Sequence, residues 1–175
     1  IEGCLDTTTS TVTVNDKPVV TVADDEICEG LSTTLNATGT GGTGLYSYTW
    51  SPTATLTETN DSVQVAAPVA TTTYTIILED AEGCLDTTTS IVTVNDKPVV
   101  AVADGEICEG LSTTLNATGT GGTGSYSYTW SPLATLTAIN DSVQTAAPIA
   151  TTVYTIILAD AEGCLDTTTS TVTVN

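Results

Sequence analysis

An internal repeat constrains this chain more than any other feature. The string Gly-Cys-Leu-Asp-Thr-Thr-Thr-Ser begins at Gly3, Gly83 and Gly163, so the period is 80 residues. Residues 16–95 and 96–175 differ at only 11 of these 80 positions. Such a period indicates that each repeat is one structural unit. The sequence therefore predicts two full repeats with these bounds, cut from a longer protein, and assigns residues 1–15 to the C-terminal strand of a preceding, truncated repeat.

The pattern within a repeat is that of a β protein. Short runs rich in Val, Thr, Ile and Tyr are separated by Gly, Pro, Asn or Asp, and no window shows a helical period. Several short strands at this spacing predict an all-β fold of tandem immunoglobulin-like antiparallel β-sandwiches arranged in series. The strands predicted in the first full repeat are Val19–Ala23, Leu31–Ala37, Tyr46–Trp50, Ser62–Ala66, Thr73–Leu78 and Thr87–Val94, with a weaker one at Ala54–Thr57.

Turns and core residues follow from the same pattern. The glycine-rich segment 39–44 predicts a flexible turn, and segment 80–83 predicts a tight one. Trp50 falls on a strand in the middle of the repeat and Tyr74 begins the penultimate strand, where immunoglobulin-like folds have a buried Trp and a tyrosine corner. We therefore expect both residues, with their copies Trp130 and Tyr154, in the core. The alternative is an exposed aromatic platform that stacks on sugars.

The five cysteines indicate an oxidising compartment. Each full repeat holds two, which predicts one disulfide per small β unit. The expected bonds are Cys28–Cys84 and Cys108–Cys164, with Cys4 belonging to the truncated repeat. A bond between repeats, Cys28–Cys164, stays open, because in a simple sandwich the turns before the second and the last strand lie at opposite ends. The lack of histidine and of any Cys-x-x-Cys pair argues against zinc.

The charge excludes two classes of partner. The net charge is −19, from 21 acidic and 2 basic residues. Binding to nucleic acid or to an anionic membrane surface requires many more Lys and Arg, and no apolar run approaches the length that spans a membrane. Calcium, which prefers carboxylate oxygens, is the one candidate cofactor. Its candidate ligands are Asp24, Asp25, Glu26, Asp80 and Glu82 in the first full repeat and Asp104, Glu106, Asp160 and Glu162 in the second.

The residues needed for catalysis are lacking. Without histidine there is no imidazole base and no Ser-His or Cys-His pair, and there is no phosphate-binding loop. A pair of carboxylates remains as a catalytic device, but the carboxylates change between copies. Asp25 becomes Gly105, Glu58 becomes Ala138 and Glu79 becomes Ala159. The sequence therefore predicts that this protein is not an enzyme.

Several motifs together resemble a known type of repeat. They are Ile27-Cys-Glu-Gly30, Tyr48-Thr-Trp-Ser-Pro52, Pro68-Val-Ala-Thr-Thr-Thr-Tyr74, Glu82-Gly-Cys84 and Val92-Thr-Val94. This order resembles the Ig-like and PKD-like repeats of large surface proteins from gliding, type IX-secreting bacteria, including the gliding-motility adhesin family. The resemblance implies export to the cell surface. It also implies O-glycans on the Asp-Ser/Thr sites at Ser62, Thr87, Ser142 and Thr167.

Two functions are compatible with these features. The near-identity of the repeats favours a structural unit of an extracellular filament or stalk, which supplies length and mechanical rigidity. The alternative is an adhesin repeat that itself binds glycans or other surfaces. The expected partners are neighbouring repeats of the same protein and, beyond them, other copies in a homo-oligomeric filament.

Overall fold

The computed structural model describes residues 3–175, apart from the side chains of Thr59 and Asn60. All regular secondary structure in this range is β-strand. No helix among these residues is long and apolar enough to cross a membrane. Residues 3–15, assigned from the sequence to a strand of a preceding repeat, are exposed and form no strand; residues 1 and 2 lie outside the described residues.

The strands of the two full repeats follow one another in the same order. The first set is β1 Pro18–Thr21, β2 Asp25–Cys28, β3 Thr33–Asn36, β4 Thr38–Gly41, β5 Ser47–Ser51, β6 Leu56–Asn60, β7 Val63–Ala66, β8 Thr72–Glu79 and β9 Leu85–Asn95. The second set is β10 Pro98–Ala101, β11 Gly105–Ile107, β12 Thr113–Asn116, β13 Thr118–Gly121, β14 Ser127–Ser131, β15 Leu136–Ala138, β16 Val143–Ala146, β17 Thr152–Ala159 and β18 Leu165–Val174.

The chain divides into two compact units. The first holds the residues up to Asp25 together with Thr33–Ala67 and Thr73–Val92. The second holds Glu26–Ser32, Pro68–Thr72 and Thr93–Asn175. This division differs from the sequence repeats. Two short segments of the first repeat, together with its last residues, belong to the second unit.

Each set of strands forms the same three sheets. In the second set these are a four-stranded sheet in the order β11-β18-β17-β14, a three-stranded sheet β12-β16-β15 and the pair β10-β13. Strands β17 and β18 are antiparallel over eight residue pairs, from Thr152↔Val172 to Ala159↔Leu165. Strand β11 runs parallel to β18 at the sheet edge. The other strand pairs of the second set are antiparallel. The corresponding sheets of the first set are β2-β9-β8-β5, β3-β7-β6 and β1-β4.

Alternating side chains build the core of each unit. On β17, Tyr154, Ile156 and Leu158 are fully buried, since side chains two residues apart lie on the same face of a strand. The rest of the second core is Val100, Ile107, Leu115, Ala117, Trp130, Ala146 and Val172. The aromatic residues assigned to the core from the sequence are all buried: the exposed fraction is 6% for Trp50, 4% for Trp130 and 0% for Tyr74 and Tyr154.

Strands β2 and β4, with their copies, were not predicted, and the flexible turn at residues 39–44 was placed partly in error. Strand β4 pairs with β1, with Thr40 opposite Val19. Gly39 lies within β4, and a Cβ at this position would be 2.8 Å from the ring of Tyr46. This glycine therefore provides room for an aromatic ring within a strand. The tight turn at residues 80–83 is present, with the Gly83 N–H donating to the Asp80 carbonyl.

Candidate functional site

A disulfide between Cys28 and Cys164 joins the first sequence repeat to the second. Cys28 is the last residue of β2, and Cys164 immediately precedes β18. The two Cα atoms are 5.6 Å apart, and both residues belong to the second compact unit. Cys164 is completely buried. Of the alternatives left open by the sequence, the structure therefore contains the bond between repeats.

The predicted bonds Cys28–Cys84 and Cys108–Cys164 are replaced by this one, and the register of the sheet explains why. Ile107 lies opposite Val174 in the parallel pair of β11 and β18, so Cys108 lies near the end of β18. Cys164 precedes the start of that strand. Ten residues at about 3.3 Å each separate these positions by about 33 Å, whereas a disulfide requires Cα atoms within about 7 Å. The same argument separates Cys28 from Cys84, because the Glu29 N–H donates to the Asn95 carbonyl at the end of β9.

In each repeat an aspartate stabilises the turn that carries the second cysteine. The Oδ1 atom of Asp160 accepts hydrogen bonds from the Cys164 N–H at 2.8 Å and the Glu162 N–H at 3.2 Å. Its Oδ2 atom accepts one from the Thr123 N–H at 3.1 Å. Burial alone would raise the pKa of this carboxyl, but the backbone donors at Thr123, Cys164 and Glu162 together lower the pKa below its ordinary value. The carboxylate thereby fixes the position of Cys164.

Asp80 has the same role in the first unit. It accepts hydrogen bonds from the Cys84 N–H at 2.9 Å, the Glu82 N–H at 3.0 Å and the Thr43 N–H at 3.1 Å. Burial opposes ionisation here too, and the donors at Thr43, Cys84 and Glu82 outweigh it, so that the pKa of Asp80 is lowered. The sequence singled out these aspartates as calcium ligands, whereas their oxygens bind backbone N–H groups.

Apart from Glu82, the other candidate calcium ligands also accept hydrogen bonds from protein groups. Within residues 3–175 no group of three or more Asp, Glu, His or Cys side chains lies close enough together to hold a metal ion. The calcium site stays a prediction. The remaining contacts are Asp24 Oδ1 with the Ile91 N–H at 2.8 Å, Asp104 Oδ1 with the Thr171 N–H at 2.7 Å, Asp25 with the Thr33 hydroxyl, Glu26 with the Asn95 amide, Glu106 with the Asn175 amide at 2.6 Å, and Glu162 with the Thr123 hydroxyl at 2.5 Å.

Sequence reasoning missed a second pair of aspartates. Asp86 Oδ2 accepts a hydrogen bond from the Val20 N–H at 2.9 Å, and Asp166 Oδ2 accepts one from the Val100 N–H at 2.8 Å. Lys17 Nζ is 2.6 Å from Asp86 Oδ1, and this contact, together with the Val20 donor, lowers the pKa of Asp86. The signal was an aspartate placed identically at the start of the last strand of both repeats. Each aspartate ties that strand to the first strand of its repeat.

The predicted O-glycosylation sites differ in accessibility. Thr87 and Thr167 are exposed on the outer face of β9 and β18. Ser62 and Ser142 are half-buried, and the Ser142 hydroxyl donates to Asn140 Oδ1 at 3.0 Å. Glycosylation at all four positions stays a prediction.

A groove lies beside the core tryptophan in each unit. In the first unit it measures about 430 Å³ and is lined by residues that include Tyr48, Trp50 and Gln64. In the second unit it measures about 510 Å³ around the equivalent aromatic residues. The lining changes between copies at two positions, Thr53 to Leu133 and Glu58 to Ala138. A ligand that bound both copies would therefore meet different side chains.

We expect the turn aspartates to make stability sensitive to acid. Because their pKa values are lowered on folding, they stabilise the native state above the ordinary aspartate pKa of 3.8, and this contribution is lost as the pH falls through the lowered values. The melting temperature of the wild type should therefore fall more steeply below about pH 4 than that of the Asp80→Asn, Asp160→Asn variant. The measurement is thermal unfolding followed by circular dichroism across this pH range.

A charge-matched variant controls for the relief of repulsion among the many carboxylates. The Asp16→Asn, Asp96→Asn variant removes the same two charges from exposed positions and should retain the acid-dependent drop of the wild type. Equal pH slopes for all three proteins would contradict the role assigned to the turn aspartates.

Comparison with known proteins shows the fold. No protein-family model and no curated protein matches the sequence. Extracellular domains 3–5 of Drosophila OTK match with a TM-score of 0.53 and 11% identity, over 91% of this chain and 62% of that one. The insect immune protein hemolin matches with a TM-score of 0.50 and 16% identity, over 95% of this chain and 49% of that one.

This chain is a tandem of immunoglobulin-like β-sandwiches. The predicted fold class is thereby confirmed. The chain spans less than two thirds of the length of either matched structure. At these identities the likeness extends to the fold alone. It supports immunoglobulin-like repeats and carries no information on gliding bacteria or type IX secretion.

Proposed function

We propose that this chain is a structural segment of an extracellular filament or stalk and that its repeats supply length and mechanical rigidity. The observation that carries this proposal is the position of the differences between the two repeats. Among the differing positions whose side chains are described, none is buried in either copy. The differing pairs are Thr21/Ala101, Asp25/Gly105, Leu45/Ser125, Thr53/Leu133, Glu58/Ala138, Thr59/Ile139, Val65/Thr145, Val69/Ile149, Thr73/Val153, Glu79/Ala159 and Ile91/Thr171.

This distribution favours a structural role over a binding role. A binding repeat must keep the surface that contacts its ligand, whereas a structural repeat must keep its core and its connections. Here the cores are identical, as are the aspartates that tie the strands and the segments around the cysteines. The surface changes in both charge and size, as in Glu79 to Ala159. A non-enzymatic role agrees with the lack of histidine and with the carboxylates that vary between copies.

A location outside the cell is supported by chemistry. The disulfide requires an oxidising environment to persist, and the strong negative charge keeps a repetitive protein soluble. The resemblance to surface repeats of gliding bacteria adds a cell-surface location and neighbouring repeats as the first partners. A homo-oligomeric filament is part of the same proposal.

Electron microscopy of chains that carry increasing numbers of this repeat tests the structural role. We expect the contour length to grow by a constant step of about 35–45 Å per repeat, since β9 has 11 residues and each adds about 3.3 Å. Particles that become thicker but not longer as repeats are added would contradict the proposal.

The adhesin alternative rests on the grooves beside Trp50 and Trp130, and a glycan-binding screen of the same chains tests it. The Thr53→Leu, Glu58→Ala variant gives the first groove the changed side chains of the second. If a glycan binds in these grooves, that variant should change its affinity. Binding that depends on these residues, with no regular growth in length, would favour the adhesin.

A further inference from the structure

We infer that Cys108 and Cys84 are unjoined halves of disulfides like the one formed by Cys28 and Cys164, and that each binds the complementary cysteine of another copy of this repeat. The period of 80 residues makes Cys108 the equivalent of Cys28, and makes Cys84 the equivalent of Cys164. Among the described residues, only one such pair is joined. Cys108 is an exposed free thiol, and Cys84 is a half-buried one.

Local structure presents Cys108 in the same way as Cys28. Residues 27–44 are identical to residues 107–124. The Cys28 carbonyl accepts a hydrogen bond from the Leu31 N–H at 3.0 Å, and the Cys108 carbonyl accepts one from the Leu111 N–H at 3.1 Å. The residue after each cysteine donates its N–H to a backbone carbonyl at the end of the last strand. Glu29 donates to the Asn95 carbonyl at 2.8 Å, and Glu109 donates to the Asn175 carbonyl at 3.2 Å. The backbone that positions the bonded cysteine is therefore repeated around the free one.

The complementary half is repeated in the same manner. Residues 80–90 are identical to residues 160–170. The Cys84 N–H donates to Asp80 Oδ1 at 2.9 Å, and the Cys164 N–H donates to Asp160 Oδ1 at 2.8 Å. The difference is burial, since Cys164 is completely buried in its bond and Cys84 is half-buried without one. The turn that holds the bonded Cys164 is therefore also present around Cys84, which forms no disulfide in this chain.

The partner is fixed by complementarity. The observed bond joins a Cys28-type residue to a Cys164-type residue, which are different positions of the repeat. A contact between unlike surfaces of identical copies is heterologous, and it generates an open chain of copies unless its rotation closes a ring. The inference therefore deepens the proposed function, on which it rests for the succession of repeats. It adds that successive copies are joined by disulfides, whether they lie on one polypeptide or on separate chains.

Each bond forms by oxidation of two thiols. The two cysteines lose two protons and two electrons as one S–S bond forms, and a small-molecule disulfide accepts both and is reduced to two thiols. The reaction proceeds by attack of one thiolate on this disulfide, followed by attack of the second cysteine on the mixed disulfide. Oxidised glutathione is a suitable oxidant of this class.

Two variants that each keep one half test the pairing between separate chains. The Cys4→Ser, Cys84→Ser variant keeps Cys108, and the Cys4→Ser, Cys108→Ser variant keeps Cys84; both retain the Cys28–Cys164 bond. After incubation in a glutathione redox buffer, the mixture should give a covalent dimer of twice the monomer mass on a non-reducing gel. Each variant alone should stay monomeric, and dithiothreitol should abolish the dimer.

The same chain extended by one further copy of residues 96–175 tests pairing within a polypeptide. If Cys108 binds the added copy, peptide mapping should find this bond in a product of monomeric mass, and the Cys108→Ser version should lose it. Either the mixed dimer or this internal bond supports the inference. Equal dimers from each variant alone, or the lack of both products, would overturn it. Neither result affects the growth in contour length, so failure here is distinguishable from failure of the proposed function.

Discussion

When a molecule is pulled by its two ends until it unfolds, the reduced chain should extend by roughly 450–490 Å more than the disulfide-bonded chain. Cys28 and Cys164 are separated by 136 residues, and their Cα atoms are 5.6 Å apart. Tension applied to the ends passes through the S–S bond, so the residues between the two cysteines cannot be extended while it is intact. A fully extended residue spans about 3.3–3.6 Å, and this length over the 136 residues gives the expected additional extension.

Force spectroscopy on the oxidised and reduced chain provides the measurement. The Cys28→Ser variant should show the long extension without reductant, because it cannot form the bond. The Cys108→Ser variant is the matched control, since it removes an equivalent cysteine that is not bonded in this chain, and it should extend as the oxidised wild type does. A long extension of the oxidised wild type would contradict the pairing.

The same bond should stabilise the chain in the absence of force. The chain-entropy model gives a contribution of about 5 kcal/mol for a loop of this length, although measured values are commonly about 2–4 kcal/mol. The contribution arises mainly because the bond restricts the unfolded chain. For a stalk, the two effects act together, since tension neither extends the enclosed residues nor releases them from their fold easily.

The sequence predicted the fold because the main signals were local. The alternation of Tyr74, Ile76 and Leu78 along one strand places all three in the core, and the structure buries all three completely. The 80-residue period reproduces every strand of the first full repeat in the second. Strand β2 was missed because its sequence, Asp-Glu-Ile-Cys, has two charged residues and only one buried side chain.

The pairing of the cysteines was harder to predict because it depends on long-range register. Four residues of β2 decide whether Cys28 lies near the start or the end of β9, and the local pattern does not contain that information. The turn aspartates were misassigned for a related reason. A carboxylate in a turn can bind a cation or backbone N–H groups, and only the positions of Thr43 and Cys84 around Asp80 distinguish the two.

The largest effect of a single core substitution is expected for Trp130→Ala, which should lower the free energy of unfolding of the second unit by about 3–5 kcal/mol. Trp130 is 4% exposed and lies opposite Ile156 in the sheet. Its indole N–H donates to the Asp141 carbonyl at 2.9 Å. Truncation therefore leaves a cavity in the core and removes the hydrogen-bond donor of that carbonyl at the same time.

A neighbouring apolar side chain provides the matched control for this substitution. Leu133 lines the same groove but is 67% exposed, so Leu133→Ala should change stability by no more than about 0.5 kcal/mol. Chemical denaturation followed by circular dichroism measures both variants. Because the chain has two tryptophans, one in each full repeat, the fluorescence of the Trp130→Ala variant reports on Trp50 and therefore on the first unit alone. A loss below about 1 kcal/mol would contradict the central position of this tryptophan, since buried aromatic truncations cost several times more.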